Sequence, residues 1–249
     1  MSNFLEQYFG LSNKTAIVIG ASRGIGKALA EGLADAGADV YGFGRSSIED
    51  LELNKKFKYK SVDFSVKGKV KEEFIEIYRL NGQIDILVNA AGISLPESKD
   101  LDTFKKTFNT NLFLAYESSI VLSELIGSEQ GASIINITSI GSYMGFPKNP
   151  SYVASKAALR NMTKALAIDL SDQKIRVNNI APGYIHTNMT NASFNDAQKS
   201  SERLKRMIIK RWGQPDDLIG AAVFLASSSS SYITGSDIVI DGGWTSNGL

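Results

Sequence analysis

Seven short runs of β-branched and aliphatic residues punctuate this chain, and longer stretches with apolar positions three or four apart separate most of them. The first run, TAIVIG at residues 15–20, is continuous rather than alternating, as expected of a strand covered on both faces. DVYGF, KYKSV, IDILVN, SIINIT, IRVNNI and DIVI complete the set. Helical periodicity appears in ASRGIGKALAEGLADAG, where Ile25, Leu29 and Leu33 share a face. It recurs in KVKEEFIEIYRL, TFKKTFNTNLFLAYESSIVLSEL, SYVASKAALRNMTKALAIDL and DDLIGAAVFLA. Such alternation predicts an α/β fold, a doubly wound parallel sheet of about seven strands with helices on both faces. No linker tract or internal repeat divides the chain, and SSSSS at 227–231 is short enough to be a loop. Residues 1–249 are therefore expected to form one domain.

Composition narrows the chemistry. The 249 residues carry 27 Lys+Arg against 26 Asp+Glu, a net charge of +1, so no strong field draws the molecule to nucleic acid or to a membrane surface. There is no cysteine, which removes disulfides, thiolate nucleophiles and thiolate metal sites and suits a reducing compartment. His186 is the single histidine, so a histidine cluster for a metal cannot be built and no metal is expected. The opening MSNFLEQYFGLSNK lacks a basic segment followed by an apolar one, and no apolar run approaches the roughly 20 residues of a membrane helix. A cytoplasmic protein is expected.

The first apolar run leads into GASRGIG, with Gly20, Gly24 and Gly26 spaced G-x-x-x-G-x-G. Glycine lets a backbone turn tightly and approach a ligand closely, and a loop between strand and helix aims helix N–H groups at phosphate. The pattern suits a Rossmann-type dinucleotide site. An acidic residue closing the second strand would select NAD through its ribose 2′-hydroxyl. DVYGF instead runs into Gly44 and Arg45, and Arg23 stands inside the glycine loop. Two guanidinium groups suit a 2′-phosphate, so NADP(H) is favoured over NAD(H).

In SYVASKAALR, residues 151–160, Tyr152 precedes Lys156 by four positions, and on a helix the two share a face. Ala154, Ser155 and Ala157 leave room around them. A free phenol with a pKa of about 10 is a poor proton carrier near neutrality. A neighbouring ammonium favours the phenolate, which makes Tyr152 a candidate acid–base group and Lys156 the residue that tunes it. Ser139 falls at the end of the fifth strand, the edge where such sheets bind ligands, and its hydroxyl can hold a substrate oxygen.

Taken in order, these motifs resemble the short-chain dehydrogenase/reductase family over essentially the full chain. GASRGIG follows strand one, Asp63 strand three and NAAG (89–92) strand four. Asn111 in NTNLFL, Ser139 in INITSIGS, Tyr152 and Lys156 in YVASK, and PGYIHT (182–187) complete the series. The resemblance implies an NAD(P)(H)-dependent oxidoreductase interconverting a secondary alcohol and a ketone, with Asn111, Ser139, Tyr152 and Lys156 catalytic. It gives Asn111 a water that relays protons to Lys156, and gives Lys156 the nicotinamide ribose. The implied cofactor set is Gly20, Ser22, Arg23, Gly24, Ile25, Gly26, Arg45, Ser46, Asp63 at the adenine amino group, Asn89, Ala90, Gly92, Tyr152, Lys156, Pro182, Gly183, Ile185 and Thr187. Two positions depart from the common pattern: Ile19 replaces a threonine, and Ala90 replaces an asparagine.

The long segment at about 186–214 is expected, by the resemblance, to be a substrate lid. Its Lys199, Arg203, Lys205, Arg206, Lys210 and Arg211 have only Glu202 as a nearby acid, which fits either attraction of an anionic substrate or a solvated helix face. Tyr143 and Tyr184 read as core aromatics or lid surfaces, and His186 carries no assigned role. RWGQPDDLIGAAVFLAS and YITGSDIVIDGGW are similar to the sugar-acid branch of the family, which includes gluconate and deoxygluconate dehydrogenases. Similar segments occur in 3-oxoacyl-acyl-carrier-protein reductases, often with leucine where Trp212 stands. A small sugar acid or related hydroxy/keto compound is the favoured substrate, and the acyl-carrier thioester is the alternative. A non-catalytic NADP sensor would be marked by loss of the Tyr152–Lys156 pair, which is present. The resemblance also implies a homotetramer.

Overall fold

The computed structural model describes residues 2–47, 49, 56–98 and 100–247. After a short helix α1 (Ser2–Phe9) come β1 (Thr15–Ile19), α2 (Gly24–Asp35), β2 (Asp39–Gly44), β3 (Lys58–Ser61), α3 (Lys69–Asn81) and β4 (Ile86–Asn89). Next are α4 (Leu101–Phe108), α5 (Leu114–Gln130), β5 (Ala132–Ile137), α6 (Pro150–Asp169) and β6 (Ile175–Pro182). The chain closes with α7 (Asn191–Phe194), α8 (Ala197–Arg206), α9 (Ile219–Ala226) and β7 (Asp237–Ile240). All seven predicted strands form one parallel sheet in the order β3-β2-β1-β4-β5-β6-β7.

Strand alternation sends successive side chains to opposite faces, and both faces are covered. Ala16, Val18, Ile86, Val88 and Ile135 meet Leu29 and Leu33 of α2 and Leu225 of α9. Ile17, Ile19, Leu87 and Ile134 meet Phe74 of α3, Leu122 of α5 and Leu166 of α6. This explains why the apolar runs are continuous. The strand order reverses between β1 and β4, and a crevice opens at the carboxyl ends of the strands there.

Two features depart from the helices expected of the sequence. α1 carries no strong signal and was not anticipated. The long pattern at 103–125 is not one helix: a π turn over Asn109–Phe113 separates α4 from α5, with the Leu114 amide reaching back to the Asn109 carbonyl. One residue is thereby inserted into the helical ladder, and Asn111 is turned inward, 1% exposed. The excursion at 186–214 contains α7 and α8. A bridge between Ile185 and Gly213 ties its two ends together.

Candidate active site

At the reversal point, β1 ends in Gly20 (φ 95°), whose backbone lies so close to β4 that a Cβ there would stand 2.6 Å from the Ala91 nitrogen. A Cβ on Gly26 would stand 2.2 Å from the Gly20 carbonyl oxygen. Any side chain at either position would fill the turn and push the loop off α2. Arg23 enters α2 in extended conformation, and no side chain caps the helix, so its first amides face outward. These glycines open a cleft of about 320 Å³ that continues along the carboxyl ends of β4, β5 and β6.

The cleft brings together nearly every residue of the expected set. Gly20, Ser22, Arg23, Gly24, Ile25, Gly26, Arg45, Ser46, Asp63, Ala90, Gly92, Ser139, Tyr152, Lys156, Pro182, Gly183, Ile185 and Thr187 all line it. The Asp63 carboxylate accepts from the Ser65 amide at 3.0 Å. Bonds from Ser65 hold its pKa below the usual range, and the Arg45 charge adds a smaller pull in the same direction. Arg23 and Arg45 stand at this end, and β2 closes without an acid.

Asn89, of the expected cofactor set, does not line the cleft. It is buried behind the cleft, accepting from Ser118 Oγ (2.8 Å) and donating to Asn136 Oδ1 (2.8 Å). The reason is register: Asn89, Asn136, Asn179 and Asp237 are paired residues on β4, β5, β6 and β7. Their side chains form a lateral ladder through Thr163 of α6, which receives a bond from Asn136 (2.9 Å) and donates to Asn179 (2.7 Å). Asn179 in turn donates to Asp237 (2.8 Å). The ladder ends at Arg160, which donates to Asp237 (2.7 Å) and lies over the Tyr143 ring. Tyr143 is thus exposed at the end of the ladder and not a core aromatic.

The chemical end is assembled by three elements. Ser139 closes β5, with its hydroxyl oxygen accepting from the Gly141 amide at 3.0 Å. Tyr152 and Lys156 come from the first and second turns of α6, one above the other. Lys156 is 4% exposed, and its Nζ donates to the Ile137 carbonyl at 2.6 Å. Asn111 accepts from the Ile93 amide (2.8 Å) and donates to the Ile93 carbonyl and to Ser155 Oγ (both 3.0 Å). It does not line the cleft but stands behind Gly92. A Cβ on Gly92 would lie 3.4 Å from Lys156 Nζ and 3.5 Å from Asn111 Oδ1.

The electrostatics differ from the expectation that Lys156 draws the phenol down. Burial pushes the Tyr152 phenol above its ordinary value, and the opposing influence is a bond from Ser139. Burial lowers Lys156 to about 8. The Lys156 ammonium is turned to the Ile137 carbonyl, and burial with the Ser139 bond sets the direction of the tyrosine shift in the free protein.

The acids that meet the lid charges are Asp196 and Asp217 and not Glu202. Lys199 pairs with Asp196 (2.9 Å), and Arg211 makes a forked pair with Asp217 (2.6 and 2.7 Å). Glu202 accepts instead from Gln198. His186 stacks on Phe194 with ring centroids 3.8 Å apart. Phe64, Ile93, Asn109, Thr110, Leu114, Asn188 and Met189 line the cleft as well and were missed, since loop residues of mixed type leave no periodic signal.

The enoyl-(acyl carrier protein) reductase family model, one of those describing short-chain dehydrogenases, matches residues 20–245. A 2-dehydro-3-deoxy-D-gluconate 5-dehydrogenase from Bacillus subtilis is 38% identical over 98% of this chain and 99% of its own. A 3-oxoacyl-acyl-carrier-protein reductase from Chlamydia trachomatis is 39% identical over 94% of this chain and 98% of its own. Among solved structures, a gluconate 5-dehydrogenase from Burkholderia cenocepacia in complex with NADP and tartrate superposes with a TM-score of 0.89 at 32% identity, covering 96% of this chain and 98% of that one. With its sheet order, its glycine cradle and the Ser139–Tyr152–Lys156 wall, the chain belongs to the short-chain dehydrogenase/reductase family.

Proposed function

We propose that this oxidoreductase uses NADP(H) to interconvert a secondary hydroxyl and a ketone on a sugar acid or a closely related small hydroxy/keto compound. The observation that carries the reading is one continuous cleft with Arg23 and Arg45 at one end and Ser139, Tyr152 and Lys156 at the other. The two glycine positions at which a Cβ would collide with backbone fit a pyrophosphate pressed against the loop. Arg23, Arg45 and Ser46 would hold a 2′-phosphate, and Asp63 the adenine amino group. Ala90, Gly92, Pro182, Gly183, Ile185 and Thr187 would bracket the nicotinamide half.

The bound nicotinamide supplies the hydride acceptor or donor. Ser139 holds the substrate oxygen, and Tyr152 gives that oxygen a proton in reduction or takes one in oxidation. Lys156 orients the ribose and, when its ammonium is released from Ile137 toward Tyr152, stabilises the phenolate. Asn111 fixes the Ile93 backbone and Ser155, and so the floor beneath Lys156. Residues 186–214 form the lid. The high sequence identity to the acyl-carrier reductase favours a second reading, in which a 3-oxoacyl thioester is the substrate.

A panel of sugar acids, polyols and 3-oxoacyl thioesters, followed by absorbance of the reduced nucleotide with each of NADPH and NADH, tests both. Turnover is expected with a sugar acid and NADP(H), and Arg45→Ala should lower the preference for NADP by about tenfold or more. Turnover confined to thioesters would select the second reading. For assembly we propose a homotetramer, because α4, the π turn and α5 leave Leu101, Phe113 and Tyr116 half or more exposed. A monomer mass in light scattering would overturn it.

A further inference from the structure

The lid carries a cation that the mechanism leaves unused. Among the described residues, two buried side-chain donors lack a hydrogen-bond partner, Arg203 Nη1 and Trp244 Nε1. Both belong to groups packed on the same ring. The Arg203 guanidinium lies over Tyr184, 4.5 Å from its centroid, and Trp244 meets Tyr184 edge-on at 5.5 Å. Trp212, also edge-on to Tyr184 at 5.6 Å, closes the cluster, but its own indole N–H is satisfied by Ser200 Oγ at 2.9 Å.

Of the other lid cations, Lys205 is exposed and four have partners. Lys199 and Arg211 have carboxylates, and Lys210 donates to the Leu204 and Lys205 carbonyls at the end of α8. Arg206 lies over the indole of Trp244 at 4.2 Å. Arg203 differs in combining a fixed aromatic platform with a donor that is both shielded and unpaired. Leaving a charged donor in that condition is unfavourable unless an acceptor arrives. A planar fork backed by an aromatic face is suited to a carboxylate, with the indole N–H supplying a further bond.

Tyr184, Arg203 and Trp244 are not themselves among the residues that line the cleft, but the cluster adjoins its chemical end. Tyr184 sits between Gly183 and Ile185, both of which line it. Its ring also approaches Phe146 at 6.3 Å, and Phe146 packs against Gly141, the residue whose amide bonds Ser139. We infer that Arg203, with Trp244, forms the carboxylate subsite of the substrate pocket, which makes Arg203 a specificity-determining residue for acids over neutral polyols. The inference rests on the proposed reading of the site as a sugar-acid dehydrogenase, and it names the group that recognises the acid.

Both tryptophans of the chain stand in this cluster, so intrinsic fluorescence reports its occupancy. The full-length protein, with and without saturating NADP, is titrated with D-gluconate, with D-glucitol as the neutral control and with inorganic phosphate as a different anion. A saturable change with gluconate and none with glucitol is expected. Arg203→Met should raise the gluconate Kd and KM by about tenfold or more, with kcat changing less than KM, and Arg203→Lys should recover part of the loss. Trp244→Phe keeps an aromatic ring without the N–H and should give a smaller rise, and unchanged NADPH affinity of each Arg203 variant checks that it is folded. Equal responses to gluconate and glucitol, tighter binding of phosphate than of gluconate, or an Arg203→Met variant with unchanged gluconate affinity would each overturn the subsite. A saturable, Arg203-dependent response without turnover of any sugar acid would instead overturn the proposed reaction and leave the subsite standing. Turnover that ignores Arg203 would do the reverse.

Discussion

Lys156 shows how one residue serves chemistry at the expense of stability. Its ammonium is removed from water with a single carbonyl for company, and its pKa falls to about 8. Between that value and the ordinary value of 10.5, the unfolded chain binds the proton that the folded one releases, so stability rises with pH across that window. Below about 8 the penalty is present in full. Lys156→Met should therefore stabilise the free protein at pH 7 by roughly 1–3 kcal/mol, a gain that shrinks as pH climbs toward 10, while turnover collapses. Urea unfolding at pH 7 and pH 10 checks it, and a destabilised variant at pH 7 contradicts it. The residues themselves were legible in the sequence. Their electrostatics were not, because spacing of i and i+4 fixes a shared face but not where an ammonium points. That Asn89 turns to its neighbouring strand and not to the cleft was not legible for a similar reason. A polar residue ending a buried strand can face a ligand or a neighbouring strand, and only register tells which.

At the scale of elements, the central strands β1, β4, β5 and β6 were readable because burial on both faces favours apolar runs, whereas the edge strands β3 and β7 are more exposed and were placed by the strand–helix alternation. The π turn was not, since one inserted residue changes the direction of Asn111 without changing the apolar pattern around it. The asparagine ladder is likewise a property of paired strands rather than of any one strand. Asn136 is its hinge, fully buried and bonded to both Asn89 and Thr163. Asn136→Ala should cost about 3 kcal/mol, by leaving those partners short of a bond and opening a void beside them. Chemical denaturation measures this, and a loss under about 1 kcal/mol would show that the ladder is not a stabilising unit.

Across the whole molecule, the strand reversal between β1 and β4 places a phosphate cradle and an acid–base wall on the same edge of one sheet. Residues more than a hundred positions apart thus face one cleft, and phosphate binding and proton transfer are assigned to separate elements. They should come apart under mutation. The decisive measurement pairs turnover with NADPH affinity for Tyr152→Phe, which keeps the ring and deletes only the phenol oxygen. The rate should fall by about 10²–10⁴-fold while the NADPH Kd stays within about threefold. A variant that keeps most of its rate, or loses nucleotide and rate together, would contradict the assignment of proton transfer to Tyr152.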